Sequence, residues 1–374
     1  MKKSGLAVFA LGVLLCVPGL LADEAVHQER IRIGAYYFDG WSGVPDDEGY
    51  TYHITKRLVN EFPDREPVWG WRADTIEIMT QQIDYAADYG IAFFAFCWYY
   101  PEAEVKETTS NNALELFLKA PNKNRLHHTL LVANHAGFRI GPGEWDVVSK
   151  IWIRYFQDTN YERLNGKPLL IFYSAMELYK SFESAEAAKQ ALDQLRKQAE
   201  EAGLGGVTIA GGVLPNEPIR EIDECGFDLL TGYNYPCYGF DLDRSYWKHP
   251  YENMIISDLY CWNYIKDHSK LPYMPTLTIG WDMRPWEPTG SDPKTIYFVD
   301  QTPGSITKGV TTLIDWVRTH PNKRIGEPLA LIYAWNENGE GGYMTPTKHG
   351  GTMILESVKK AIDLKGNLSM VDPP

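Results

Sequence analysis

DTIEIMTQQIDYAADYGIAFFAFCWYYP, residues 74 to 101, holds a complete helix–strand unit. Ile76, Met79, Ile83 and Ala87 recur at the helical period behind Asp74, which is placed to cap the first turn, and Gly90 breaks the run. IAFFAFCWYY (91–100) then stays apolar without alternation until Pro101 stops it. A strand that is apolar on both faces belongs in a sheet covered on both sides, the setting of parallel strands joined by helices.

The same unit recurs in both directions along the chain. IRIGAYYF (31–38) precedes it as a strand. After it come helix NNALELFLKA (111–120), strand HTLLVANH (128–135), helix EWDVVSKIWIRYFQD (144–158) and strand LLIFYSA (169–175). Helix SAEAAKQALDQLRKQAEEAG (184–203) ends on Gly203, and strand VTIAGGVL (207–214), the short helix PIREIDEC (218–225) and strand FDLLTGYNY (227–235) follow. Helix YENMIISDLYCWNYIKDH (251–268), strand YMPTLTIGW (273–281), helix SITKGVTTLIDWVRTH (305–320), strand ALIYAW (330–335) and helix TMILESVKKAID (352–363) complete the series. Eight strand–helix pairs without a repeat of fixed period, a linker or a low-complexity tract predict one α/β domain, a closed (β/α)8 TIM barrel with extended βα loops. An open doubly wound sheet is the alternative. It ordinarily carries a phosphate-binding glycine pattern after its first strand, and IGAYYFDGWSG (33–43) has none.

The first residues, MKKSGLAVFALGVLLCVPGLLADEA, combine Lys2-Lys3, a short apolar run, Pro18-Gly19 and Ala22 before Asp23, the anatomy of a secretory signal peptide. Cleavage after Ala22 leaves residues 23–374 as the exported domain, secreted or periplasmic. A lipoprotein on Cys16 is disfavoured by Leu15, where such signals place a small residue. No later stretch approaches the roughly 20 apolar residues of a membrane span. The net charge is −13, and cleavage would remove two lysines and no acid, so nucleic acid is a poor partner. Cys97, Cys225, Cys237 and Cys261 form no CxxC and stand at no zinc spacing, so neither a metal nor another cofactor is expected. The last three are near enough in sequence for one disulfide, with free buried thiols the alternative. Oligomeric state is open.

In a barrel of this kind chemistry collects where strands end. The strand-end residues are Tyr37, Asp39 and Trp41; Trp98 and Tyr99; Asn134 and His135; Tyr173; Tyr233, Asn234 and Tyr235; Trp281 and Asp282; and Trp335, Asn336 and Glu337, followed by Glu340 and Tyr343. Aromatic faces, amides and carboxylates in one cleft suit a sugar, whose C–H faces stack and whose hydroxyls hydrogen-bond. Glycosidic cleavage uses two carboxyl groups, one protonated and one ionised. Glu337 and Glu340, three residues apart on a glycine-rich turn beyond the last strand, are the best placed pair. Asp39 and Asp282 are read as sugar-binding acids, against the plainer role of capping a helix or holding backbone amides. Glu48, Glu144 and Asp146 fall in loops and read as solvated.

GWDMRPW (280–286), WNENGEGGYMTPT (335–347), IGAYYFDGW (33–41), YGIAFFAFCWYY (89–100) and NGKPLLIFY (165–173) resemble glycoside hydrolase family 99 and the related WbsX-type proteins, in order along most of the chain. The resemblance implies a (β/α)8 barrel and endo-acting, retaining attack on α-mannosides without a covalent enzyme–sugar bond. By it Glu337 takes the proton of the substrate 2-hydroxyl, whose oxygen closes a 1,2-anhydro sugar, while Glu340 protonates the departing oxygen and later activates water. Two departures stand out: His135 where relatives tend to carry an acid, and Asn338-Gly339 where many have an aromatic. A WbsX-type glycosyl transferase and a catalytically silent glycan-binding barrel are the competing expectations.

Overall fold

The computed structural model describes residues 1, 29–43, 45–102, 111–240 and 247–366. The proposed signal peptide lies outside them apart from Met1. Among the described residues, eight parallel strands make up a barrel: β1 (Arg32–Tyr37), β2 (Phe93–Trp98), β3 (His127–Val132), β4 (Lys167–Phe172), β5 (Thr208–Gly212), β6 (Leu229–Thr231), β7 (Thr276–Thr278) and β8 (Leu329–Tyr333). Hydrogen-bonded neighbours run β6-β5-β4-β3-β2-β1-β8-β7. The ring closes where Leu230 N donates to Pro272 O and Met274 N donates to Leu230 O, both at 2.9 Å. The interleaved helices are α1 (Ile76–Asp88), α2 (Asn112–Lys119), α3 (Trp145–Phe156), α4 (Ala185–Glu201), α5 (Ile219–Ile222), α6 (Glu252–His268), α7 (Pro303–Thr319) and α8 (Met353–Leu364).

Strand parity divides the core in two. Tyr36, Phe93, Ala95, Cys97, Leu131, Ile171, Leu331 and Tyr333 point into the lumen. Ile33, Ala35, Tyr37, Phe94, Phe96, Trp98, Val132 and Ile332 point out, under the helices. A smaller cluster of Trp41, Ile54, Leu58 and Ala73 holds together the long loop after β1.

Several boundaries differ from the sequence reading. α1 is capped by Thr75, whose hydroxyl accepts from Ile78 N at 3.3 Å, while Asp74 is exposed and bound to Arg72 at 2.8 Å. β6 and β7 are three residues each because the chain beyond them turns into the mouth; Tyr235 N, for example, donates to the Thr278 hydroxyl at 3.2 Å rather than to a strand backbone. None of the four described cysteines forms a disulfide; Cys237 is exposed and the others are buried, so the disulfide option is not taken. Among the described residues no group of three or more His, Cys, Asp or Glu could hold a metal ion, and no helix is long and apolar enough to cross a membrane.

Candidate active site

Beyond β8 the chain forms a small hairpin. Asn336–Glu337 pairs antiparallel with Gly342–Tyr343, and Asn338–Glu340 makes a tight turn between them. Gly341 ends the turn at φ +76°, a left-handed conformation glycine adopts without penalty. A Cβ on Gly342 would sit 2.3 Å from the Tyr333 ring, so this position has no room for a side chain.

The hairpin is fastened from outside. The Asn336 amide brackets Phe38, accepting from its N–H at 2.7 Å and donating to its carbonyl at 2.8 Å, and Trp41 Nε1 donates to Asn336 O at 3.0 Å. Asn338 Nδ2 donates to Arg65 O at 2.8 Å. Arg65 Nη1 in turn donates to Asp282 O at 3.1 Å and Asn338 O at 3.3 Å, while Asp282 N donates to Glu340 O at 2.5 Å. Backbone and side chains from the loops after β1 and β7 thus fix the turn that carries Glu340.

Within this frame each glutamate has its own tyrosine. Tyr233 Oη donates to Glu337 Oε1 at 2.7 Å, and Tyr333 Oη donates to Glu340 Oε2. The two tyrosine rings meet edge to face at 4.8 Å. Burial pushes both carboxyls above their ordinary range. Glu337, raised further by the charge of Glu340, is pushed furthest; the tyrosine bonds act in the opposite sense. Such a pair favours sharing a proton over carrying two charges.

Aromatic rings line the mouth around the pair. Tyr173 lies 5.2 Å from Tyr233, His135 5.6 Å from Tyr173, Tyr99 6.1 Å from His135, and Trp281 6.1 Å from Tyr333. Asn234 lines a hollow beside Tyr233. Burial lowers the pKa of His135, so its imidazole is neutral at pH 7.

Other candidates stand elsewhere. Tyr37 and Trp98 lie on the outward face of their strands and Trp335, beyond the end of β8, joins the same outer core: Tyr37 packs on Phe94 and Phe96, Trp98 on Trp152, and Trp335 bonds Gln82 at 2.8 Å. Tyr235 is fully buried and bonds Tyr273 at 2.9 Å. Asn134 spends its amide on the Ser174 backbone at 2.8 and 3.0 Å, and Asn336 spends its own on Phe38. Trp41 belongs to the loop core. Asp39 accepts from Ala113 N at 2.7 Å, capping α2 from a distance; burial pushes its carboxyl up to about 6. Asp282 is buried between Arg65 and Arg284, which hold its carboxyl below the usual range. Tyr343 lines a separate cleft with Thr345, Thr347 and His349. Two lumen residues that the sequence reading passed over, Tyr36 and Cys97, lie under the pair: the Tyr36 ring is 4.9 Å from Tyr233, and Cys97 Sγ is 3.8 Å from its hydroxyl. Tyr333, the last residue of β8, was also passed over. All three stand on the lumen parity of their strands, which the sequence does not mark because both faces of these strands are apolar.

Fold and site together define an eight-fold β/α barrel with a buried carboxyl pair at its C-terminal mouth, the architecture found in glycoside hydrolases. The chain belongs to the family described as glycosyltransferase WbsX, whose model matches residues 70–358. A protein described as glycoside hydrolase-like superposes over 96% of both chains with a TM-score of 0.61 at 16% identity. The GH99 endo-alpha-mannosidase from Bacteroides thetaiotaomicron superposes in two structures. One has a TM-score of 0.56 at 15% identity, covering 90% of this chain and 99% of that one. The other has 0.54 at 14%, covering 89% and 97%. At these identities the likeness establishes the barrel. No curated protein sequence matches the chain.

Proposed function

We propose that this protein is an exported, retaining endo-glycosidase for α-linked glycans, with α-mannosides the leading candidates. The observation that carries the reading is the buried pair Glu337 and Glu340, each held by its own tyrosine hydroxyl and both pushed towards protonation. The GH99 endo-alpha-mannosidase neighbours point to the substrate class. Residues 1–22 act as the export signal, and residues 23–374 work as one domain without a cofactor.

In the forward step Glu337, ionised, takes the proton of the sugar 2-hydroxyl. O2 attacks the anomeric carbon from the back, the bond to the departing oxygen breaks, and that oxygen receives the proton of Glu340. Water then gives its proton to Glu340 and opens the 1,2-anhydro ring at the anomeric carbon, while O2 recovers its proton from Glu337. Back-side attack needs the axial 2-hydroxyl of α-mannose, opposite an axial leaving group. The aromatic mouth supplies stacking faces.

One observation favours exchanged roles. Burial raises both carboxyls and the charge of Glu340 raises Glu337 further, which would suit Glu337 to hold a proton and act as the acid. Dinitrophenyl α-mannoside separates the two assignments because its leaving group departs without protonation. On α-mannan oligosaccharides, Glu337→Gln and Glu340→Gln each lose about 10²-fold or more. On the activated substrate the variant lacking the acid regains its first step. Turnover unaffected by both changes would remove the pair from catalysis, and binding without turnover by the unmodified protein would overturn the enzymatic reading. Product formation that requires a nucleotide-sugar donor would favour transfer, the activity in the family's description.

A further inference from the structure

We propose that the hollow on the rim of β4 to β6, beside Tyr233, is a second glycosyl subsite that takes an uncharged sugar unit and rejects a carboxylated or sulfated one. This rests on the glycan reading above. The hollow is lined by Tyr173, Gly212, Val213, Leu214, Glu217 and Asn234, with Tyr233 as the shared wall. Because Tyr233 also donates to Glu337, a glycan whose scissile bond lies at the pair would place a neighbouring unit here.

Glu217 gives the hollow its character. Leu214 N donates to Glu217 Oε2 at 2.8 Å and Glu217 N to Leu214 O at 3.1 Å, so a closed turn fixes the side chain. Oε1 has no partner among the described residues and remains free to accept from a hydroxyl. Leu214, 37% exposed, offers an apolar wall to a C–H face, and Gly212 leaves the floor as bare backbone, since a Cβ there would meet Tyr173 O at 2.2 Å. Among the described residues no cation lines the hollow. The nearest one acting on Glu217, Lys180, is bound to Glu177 at 2.8 Å. Burial raises the Glu217 carboxyl, against the opposing pull of the Leu214 N–H and Lys180, so the hollow already disfavours negative charge. A sugar hydroxyl can pair with the free oxygen, whereas an anionic substituent would bring a second acidic group against it with no cation beside it.

The test is calorimetric binding to the full-length Glu340→Gln protein, which does not consume its ligand. The probes are α-manno-oligosaccharides of increasing length and the same oligosaccharides with primary hydroxyls oxidised to carboxylates. Neutral probes should bind and oxidised ones should bind about tenfold more weakly. Adding Glu217→Gln, which keeps the acceptor for Leu214 N, should narrow that gap, and Glu217→Lys should reverse it. Glu224→Gln, an exposed change elsewhere, should leave it intact. Equal binding of both probes, or a gap unmoved by Glu217→Gln while neutral oligosaccharides still bind and are turned over by the unmodified protein, overturns the subsite and leaves the glycosidase reading standing. Absence of both binding and turnover for every probe overturns the two together.

Discussion

Glu337 and Glu340 sit where their charge is costly, and that cost has a sign. Both carboxyls are raised by burial, so between the ordinary carboxylate range and their raised values the folded protein holds more protons than the unfolded one. Stability therefore falls as pH rises through that window and stays low above it. Glu337→Gln should raise the melting temperature at pH 7 by roughly 1–2 °C, equivalent to about 1 kcal/mol, and should give no gain near pH 4, while activity is lost. Thermal unfolding at the two pH values checks this; a loss of stability at pH 7 would mean that the carboxylate is well solvated. The tyrosines act oppositely. Tyr333→Phe removes a donor that lowers the Glu340 pKa, so the limb of the pH–rate profile belonging to Glu340 should move to higher pH. A profile that keeps its shape would remove Tyr333 from that role. The carboxyl pair and Tyr233 stood among the strand-end residues named from the chain, but Tyr333 did not, because the lumen and outer faces of these strands are both apolar and neighbours such as Tyr36 and Tyr37 carry the same side chain.

The hairpin after β8 shows how an element without much core of its own is held. Its outer braces, Arg65 and Asp282, come from loops far away in sequence, which explains why Asp282 reads as a strand-end acid but is occupied by two arginines. Asp282→Ala would leave the buried Arg65 without its carboxylate and should cost about 3–5 kcal/mol in urea unfolding. The pH dependence of this bridge is the reverse of the glutamates'. Its carboxyl is held low, so its contribution is present above the unfolded carboxylate range and lost as pH falls through the folded value. Asp39 is a milder case: it caps α2, whose own first residues offer no side-chain cap, and Asp39→Ala should cost about 1 kcal/mol. Capping and bridging of this kind depend on which loops meet in space. The chain alone could not separate a sugar-binding acid from a bracing one, although both possibilities were visible at each position.

The barrel was far more accessible to sequence reasoning than the site. The 74–101 unit predicted a helix and a doubly covered strand, and α1 and β2 lie inside those bounds at 76–88 and 93–98. Repeating that unit gave eight strands in order because most strands are largely apolar and most of the longer helices carry an apolar stripe at the helical period. Closure adds a consequence for unfolding. β1, near the start of the described chain, pairs with β8, near its end, through Arg32 to Leu329 and on to Ala35 with Ile332, while β6 meets the segment entering β7 through Leu230 and Tyr273. Neither end of the chain can leave without exposing strand edges on both neighbours. Residues 29–366 should therefore unfold in a single transition, with far-ultraviolet circular dichroism and tryptophan fluorescence giving coincident midpoints. Removal of residues 328–374 should abolish that transition rather than leave a stable remnant, since β1 would keep β2 alone and β7 would lose its paired strand. Two separated transitions in the intact chain, or a cooperative melt in the truncated one, would show that part of the barrel stands on its own.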